Sequence, residues 1–346
     1  MVRRRVGVGV AAVALGLAGL VAGVASATPR AASSPSGTLR LGYFPNVTHA
    51  PPLVGIQDGL LQRTLGPNVS LKPFTFNAGP AAVEALLSDS IDASYMGPNP
   101  AINAFVQSHG AVRVVAGAAS GGVFLVVRPG INRPADLKGK MLATPQLGNT
   151  QDVALRTWLH EHGLTATTSG GGDVSIRPED NGSTVQAFEQ HALDGAWVPE
   201  PYASELVAAG GKVLVDERTL WPGGTFATTV LVVRVDYLQA HRAIVRRLIQ
   251  GQQEAIGVIE QDPTQAEQLA GEAIQSATGQ SVKPSSIAAA FPSITFTNDP
   301  IASSLRTQAL DAQRLGLLAT ANLNGLFDLT ILNALLRAEG TPPVPS

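Results

Sequence analysis

The 346-residue chain contains no cysteine. That absence removes disulfides, thiolate metal sites, a cysteine nucleophile and the modified cysteine of a bacterial lipoprotein. Charge is also scarce. Asp, Glu, Lys and Arg make up 14% of the residues, against about 25% in an average soluble domain. The formal net charge is -2, so no basic excess exists to hold a polyphosphate backbone, and a nucleic-acid partner is not expected. Aromatic residues are 5% of the chain, which leaves little material for recognition by stacking. No G-x-S-x-G, P-loop or H-E-x-x-H motif occurs, so these signatures of nucleophilic, phosphate-binding and zinc chemistry do not apply. His160 and His162 stand two apart on a predicted helix and face different ways, so they do not share a metal. No cofactor or metal is expected, and the chain is not read as an enzyme.

Hydrophobic residues are 45% of the chain, ample for a core, and the length exceeds what one core usually holds, so two lobes are expected. The N-terminus reads as an export signal. Arg3, Arg4 and Arg5 are followed by an uncharged run from Val6 to Val24 and by Ala25-Ser26-Ala27, an A-x-A cleavage pattern. Residues 1–27 are therefore read as a signal peptide. The apolar run, roughly 20 residues, is also long enough for an uncleaved anchor. Either way the remainder is expected outside the cytoplasm, periplasmic, secreted or held at the cell surface. Residues 28–37, small, polar and Pro-containing, read as a flexible linker.

From Thr38 onward short β-branched runs alternate with helical patterns. Strands are predicted at 38–43, 69–76, 91–95 and 112–117. Helices lie between them, at 48–61 and after Gly79-Pro80 and Asn99-Pro100, where Pro suits the first helical turn. The plan recurs with strands at 141–144, 173–177, 193–198 and 213–216, and helices at 152–162, 183–191 and 201–209. Such β-α-β alternation marks a parallel sheet covered on both faces. From Asp236 the pattern is helical, over 237–260, 263–278, 302–315 and 328–338.

An internal repeat underlies the two halves. Residues 81–101 lie over 183–203 without gaps, pairing Asp92 with Asp194 and Tyr95 with Trp197, and both copies enter a Pro-containing turn. Two runs, 121–130 and 227–236, each contain Val-Val-Arg and are read as paired crossovers. The expected division is 38–128 with 229–346 as a discontinuous first lobe, and 129–228 as the second.

These motifs resemble the solute-binding proteins of the nitrate, sulfonate and taurine ABC importers, of the aliphatic sulfonate-binding type. The resemblance runs over roughly 39–338 and is carried by LRLGYFPN (39–46), IDASYMGPNPA (91–101), PADLKGKMLATPQLGNTQDVALRTWL (134–159), DGAWVPEPYAS (194–204) and FTNDP (296–300). It implies an α/β type II periplasmic-binding fold, two doubly wound lobes joined by two hinge strands, with the ligand in the cleft. It implies as partners a small anionic ligand, a membrane permease and its cytoplasmic ATPase. A monomer is expected. Sulfonate and taurine lead as ligands, with nitrate, bicarbonate or a thiamine-pyrimidine precursor as alternatives, and a non-transport enzyme on the same fold as a further one.

Ligands of open α/β sheets sit beyond the carboxyl ends of strands, beside helix N-termini. The candidate residues there are Asn46 and His49, Asn77, and Gly97, Pro98 and Asn99 in the first lobe, with Gly121 and Gly122 before the hinge. In the second lobe they are Gly148, Asn149 and Thr150, then Trp197 and Glu200. Small residues expose backbone N–H groups, and a helix N-terminus carries about half a positive charge, so these turns form an anion cradle without a cation. By the resemblance, the matching Gly/Ser/Thr segment holds sulfonate oxygens, a role carried to Gly148, Asn149 and Thr150. From the residues alone, Asn149 or Thr150 equally suits an ordinary N-cap. His49 suits packing as well as binding, Trp197 strand burial as well as a cleft wall, and Glu200 either capping or an ammonium partner. Arg128 and Arg234 end the crossover runs and are expected in solvent rather than in the cleft.

Overall fold

The computed structural model describes residues 35–346, together with Gly7 and Gly9; the signal peptide and nearly all of the linker expected at 1–37 lie outside the described residues. The first half of the fold is β1 (Gly37–Tyr43), α1 (Ala50–Gln57), α2 (Leu60–Leu65), β2 (Val69–Thr75), α3 (Gly79–Leu87), β3 (Ala93–Met96), α4 (Pro98–Gln107) and β4 (Val112–Gly121). The chain then enters a second sheet with β5 (Val123–Val127), β6 (Met141–Thr144), α5 (Thr150–Glu161), β7 (Ser175–Pro178), α6 (Asn181–Glu189), β8 (Gly195–Pro199), α7 (Tyr202–Ala208) and β9 (Lys212–Asp216). It returns through β10 (Ala227–Arg234) and continues as α8 (Val235–Ala240), α9 (Arg242–Gln261), α10 (Pro263–Thr278), α11 (Pro284–Ala290), β11 (Ile294–Phe296), α12 (Ala302–Arg314) and α13 (Thr330–Ala338).

The sheet orders are β11-β4-β10-β3-β1-β2 and β7-β6-β8-β5-β9. Apart from β11 they follow one plan. Four parallel strands run second, first, third, fourth, and one antiparallel strand sits between the third and fourth. That odd strand is β10 in the first sheet and β5 in the second, so the two matched Val-Val-Arg runs occupy equivalent places. The expected crossing near 128 is displaced: Val123–Val127 already belongs to the second sheet, and the change of sheet falls at Gly121-Gly122.

Apolar continuity in these runs follows from coverage of both faces. In β10, Leu231 and Val233 face one core and Val230 and Val232 the other. In β5, Val123, Leu125 and Val127 face one core and Phe124 and Val126 the other. Each such fully buried aliphatic contributes about 1.5–3 kcal/mol from burial.

The repeated aspartates do matching work. Asp92 accepts the Arg40 N–H midway along β1 (2.8 Å) and Asp194 accepts the Met141 N–H at the start of β6 (2.9 Å). Arg128 and Arg234, expected in solvent, are fastened instead. Arg128 donates to the carbonyls of Leu193 and Phe188 and lies over the Phe188 ring, while Arg234 pairs with Asp89 and Asp236.

Two predicted helices are broken. The one expected at 48–61 stops at Asp58 and restarts after Gly59, which adopts a left-handed φ of 68°. The one expected at 237–260 breaks at His241. The short α11 and β11 are not among the predicted elements: α11 is a Ser/Ala-rich stretch of seven residues, and β11 is three residues long, too short to show a strand period.

Candidate ligand-binding site

The carboxyl ends of β1, β3, β6, β7 and β8 meet a cavity between the two sheets with about 360 Å³ of empty space, its open mouth included. Helix starts converge on it: Ala78-Gly79 of α3, Gly97 of α4, Asn149–Gln151 of α5 and Asn181 of α6. Among the described residues no Asp, Glu, Lys or Arg lines it. Phe44, Pro100, Pro145 and Pro199 supply an apolar wall.

The start of α5 is built to present donors. Asn149 caps the helix, its Oδ1 accepting from Asp152 N at 2.8 Å and its carbonyl from Val153 N at 3.1 Å. The Asn149 amide donates to Gln151 Oε1. The first N–H groups of a helix have no intrahelical acceptor, and among the described residues those of Thr150 and Gln151 find none elsewhere. Thr150 Oγ1 and Asn181 Oδ1 are likewise buried without a partner among the described residues. Buried polar atoms are nearly always satisfied, so such orphans beside a cavity point to a bound group.

On the opposite side, Asn46 Oδ1 accepts from both Thr48 N (3.1 Å) and Thr48 Oγ1 (2.6 Å), so the Asn46 side chain has its NH2 to offer the cavity. His49 stacks on Phe44 and accepts the Phe44 N–H at Nδ1, 3.2 Å away, which leaves Nε2 to carry the proton. Burial pushes the His49 pKa down to about 3, so the ring is a neutral donor.

Of the expected residues, Asn46, His49, Asn77, Gly97, Asn149 and Thr150 line this cavity. The others do not. Gly148, with φ 75°, donates its N–H to Asp152 Oδ2 and shapes the turn. Pro98 opens α4 away from the cavity, and Asn99 donates to the Gln308 carbonyl of α12. Gly121 and Gly122 form the hinge crossing; their carbonyls accept from Thr228 Oγ1 and from Glu200 N. Trp197 is fully buried in the second core and donates to Glu217 Oε2 at 2.7 Å. The Glu200 carboxylate accepts from Ser204 N and Oγ and lines a separate groove, so it does not face the ligand cavity. Its position explains this: it directly follows β8 and sits just before α7, which its side chain caps.

Thr48, Gln151, Asn181 and Thr228 also line the cavity and were not foreseen. Asn181 had a signal, since at the offset of the repeat it falls opposite Gly79, the start of α3.

The two sides touch directly. Val47 N donates to the Glu200 carbonyl at 2.9 Å and the Tyr202 hydroxyl to the Pro45 carbonyl at 3.0 Å. A Cβ on Gly97 would stand 2.4 Å from Thr150 Oγ1, so only glycine permits this approach.

Two lobes of one strand plan, joined at two crossings around an uncharged, donor-lined cleft, define the class: the type II periplasmic-binding fold. The model of the NMT1-like family matches residues 32–274, and the chain belongs to that family. It is 28% identical over 200 residues to the taurine-binding periplasmic protein of Escherichia coli (strain K12), a match covering 57% of this chain and 59% of that relative. The chain thus spans less than two thirds of that relative's length. Among solved structures it is similar to the alkanesulfonate-binding protein SsuA from Xanthomonas axonopodis pv. citri bound to MOPS, with TM-score 0.69, 21% identity and coverage of 84% and 97% of the two chains. It is also similar to the periplasmic nitrate-binding protein NrtA from Synechocystis PCC 6803, with TM-score 0.71, 15% identity and coverage of 90% and 92%. Among the described residues no group of His, Asp and Glu is arranged to hold a metal.

Proposed function

We propose that the chain is an extracytoplasmic solute-binding protein that captures a small anion, an alkanesulfonate or taurine, and delivers it to an ABC permease driven by a cytoplasmic ATPase. The N-terminal export signal belongs to the same proposal. The observation that carries it is the start of α5, where two free N–H groups and the unpartnered Thr150 hydroxyl meet the cavity. A sulfonate carries one negative charge over three oxygens, which suits several neutral donors and helix ends better than one fixed cation. The apolar wall of Phe44 and prolines suits a short alkyl tail. Among the described residues Phe44 is, apart from His49, the one aromatic ring in the lining, so a pyrimidine would be stacked on one side at most. An ammonium at the far end of the solute would meet Asp180, which lines a groove that shares Asn46, Asn77 and Asn181 with the cavity.

Calorimetric titration with ethanesulfonate, taurine, nitrate, bicarbonate and a formyl-aminopyrimidine tests the reading. Saturable sulfonate binding at micromolar affinity or tighter is expected. Thr150→Ala should weaken it about tenfold or more, the worth of a hydrogen bond to a charged group, with an unchanged melting temperature. Preference for nitrate or the pyrimidine, or an unaltered affinity in the Thr150 variant, would overturn the assignment.

A further inference from the structure

We infer that the buried Asp152–Arg156 pair sets the charge behind the anion cradle, Arg156 cancelling a carboxylate that the turn needs but a bound anion would not tolerate. This inference rests on the anion-capture reading above and adds to it two positioning residues that do not line the cavity.

The turn from Thr144 to Thr150 is tied together by one side chain. Asp152 Oδ1 accepts from Thr144 Oγ1 at 3.0 Å, and Oδ2 from Gly148 N at 2.9 Å. The carboxylate therefore joins the end of β6, the turn and the first turn of α5. It is fully buried and sits two residues, about 3 Å of helix rise, from Thr150, whose hydroxyl meets the cavity. Left alone, a charge of the same sign as the solute would oppose binding. Two like charges about 8 Å apart at an effective dielectric near 20 repel by an amount worth about 10- to 30-fold in affinity.

Arg156 lies one turn further along α5, and its Nε donates to the same Oδ2 at 2.9 Å, with the two side chains 2% and 0% exposed. The loop after α5 holds the guanidinium independently, through Nη1 to the carbonyls of Ala166 (3.2 Å) and Thr167 (2.8 Å). Its Nη2 is buried with no acceptor among the described residues. A clamp needing only hydrogen bonds has no reason to bury that extra donor, whereas cancelling a charge requires the whole guanidinium. Each partner has the other as its sole ion-pair partner among the described residues. The pair thus delivers the geometry of an aspartate with the electrostatics of a neutral residue.

The two roles predict different signs. Ethanesulfonate is titrated against the full-length wild type and the variants Arg156→Gln, Asp152→Asn and Asp152→Asn/Arg156→Gln, with the melting temperature of each recorded. Charge compensation predicts that Arg156→Gln binds about 10- to 30-fold more weakly, that Asp152→Asn binds more tightly than wild type, and that the double variant returns near the wild-type affinity. A merely structural pair predicts weaker binding in all three, the double variant no better than the worse single one, and that result would sink the inference. Should Arg156→Gln fail to fold, the order of Asp152→Asn against the double variant decides by the same sign. If the wild type binds neither ethanesulfonate, taurine nor nitrate, anion capture fails and this inference falls with it. A wild type that binds while the variants break the expected order removes the charge-setting role alone.

Discussion

Single buried acids carry a pH signature. Burial pushes the Glu217 carboxyl up to about 7, although the indole N–H groups of Trp197 and Trp221 donate to it and favour its charged form. Glu200 is raised to about 7 for the same reason. The unfolded chain releases these protons near the ordinary 4.5, so between that pH and about 7 the folded state holds more protons and stability falls as pH rises. His49 works oppositely: held neutral down to about 3, it costs stability as pH falls below 6.5. Comparing Glu217→Gln with wild type isolates one group. The variant should gain on wild type as pH rises from about 4.5 to 7, by on the order of 3 kcal/mol across the window, read from melting or urea curves at fixed pH steps. A pH-independent difference would contradict it. At this scale the sequence was legible where chemistry and position coincide. Gly148-Asn149-Thr150 announced a strand-turn-helix corner, and two of the three line the cavity. Trp197 was ambiguous because alternation along a doubly covered strand does not say which face meets ligand. The cavity-facing threonines at 48 and 228 were invisible, because their exposure depends on how the two sheets approach each other.

At the scale of elements, the two sides of the cleft are joined by the segment after β1 on one side and the corner between β8 and α7 on the other. Tyr202, the first residue of α7, reaches Pro45 after β1, and Val47 reaches the end of β8. Tyr202→Phe removes one hydrogen bond worth about 1 kcal/mol without altering the Tyr202 packing against the core that Phe124 and Val126 face. The closed arrangement should lose about fivefold in population relative to the open one, and solute dissociation should quicken by a similar factor in stopped-flow experiments; an unchanged rate would mean that this contact does not oppose opening. The repeat made most elements readable, since the same hydrophobic pattern had to form the same four-strand plan twice. The places that failed are those where local geometry overrides pattern. A left-handed Gly59 splits α1 from α2, so each finds its own packing direction. The run at 121–130 changes sheet earlier than expected, because two consecutive glycines with φ of 81° and 70° permit a turn that branched residues resist.

For the whole molecule, the expectation is a fall in radius of gyration when solute binds, measurable by small-angle scattering with ethanesulfonate present and absent. A constant radius across a saturating titration would rule out capture by lobe closure. The two crossings between sheets, at Gly121-Gly122 and between Asp216 and Ala227, bear on how such closure can proceed. A single linker would leave the lobes free to swivel about it in any direction. Two anchor points fix a line, and rotation about that line is the one soft coordinate left, as in a door hung on a pair of pins. If a solute is captured as proposed, such a rotation would bring the lips of the cleft together in one register. Under the proposed capture, recognition would become a yes-or-no fit along a single path, and a permease would have one shape to read.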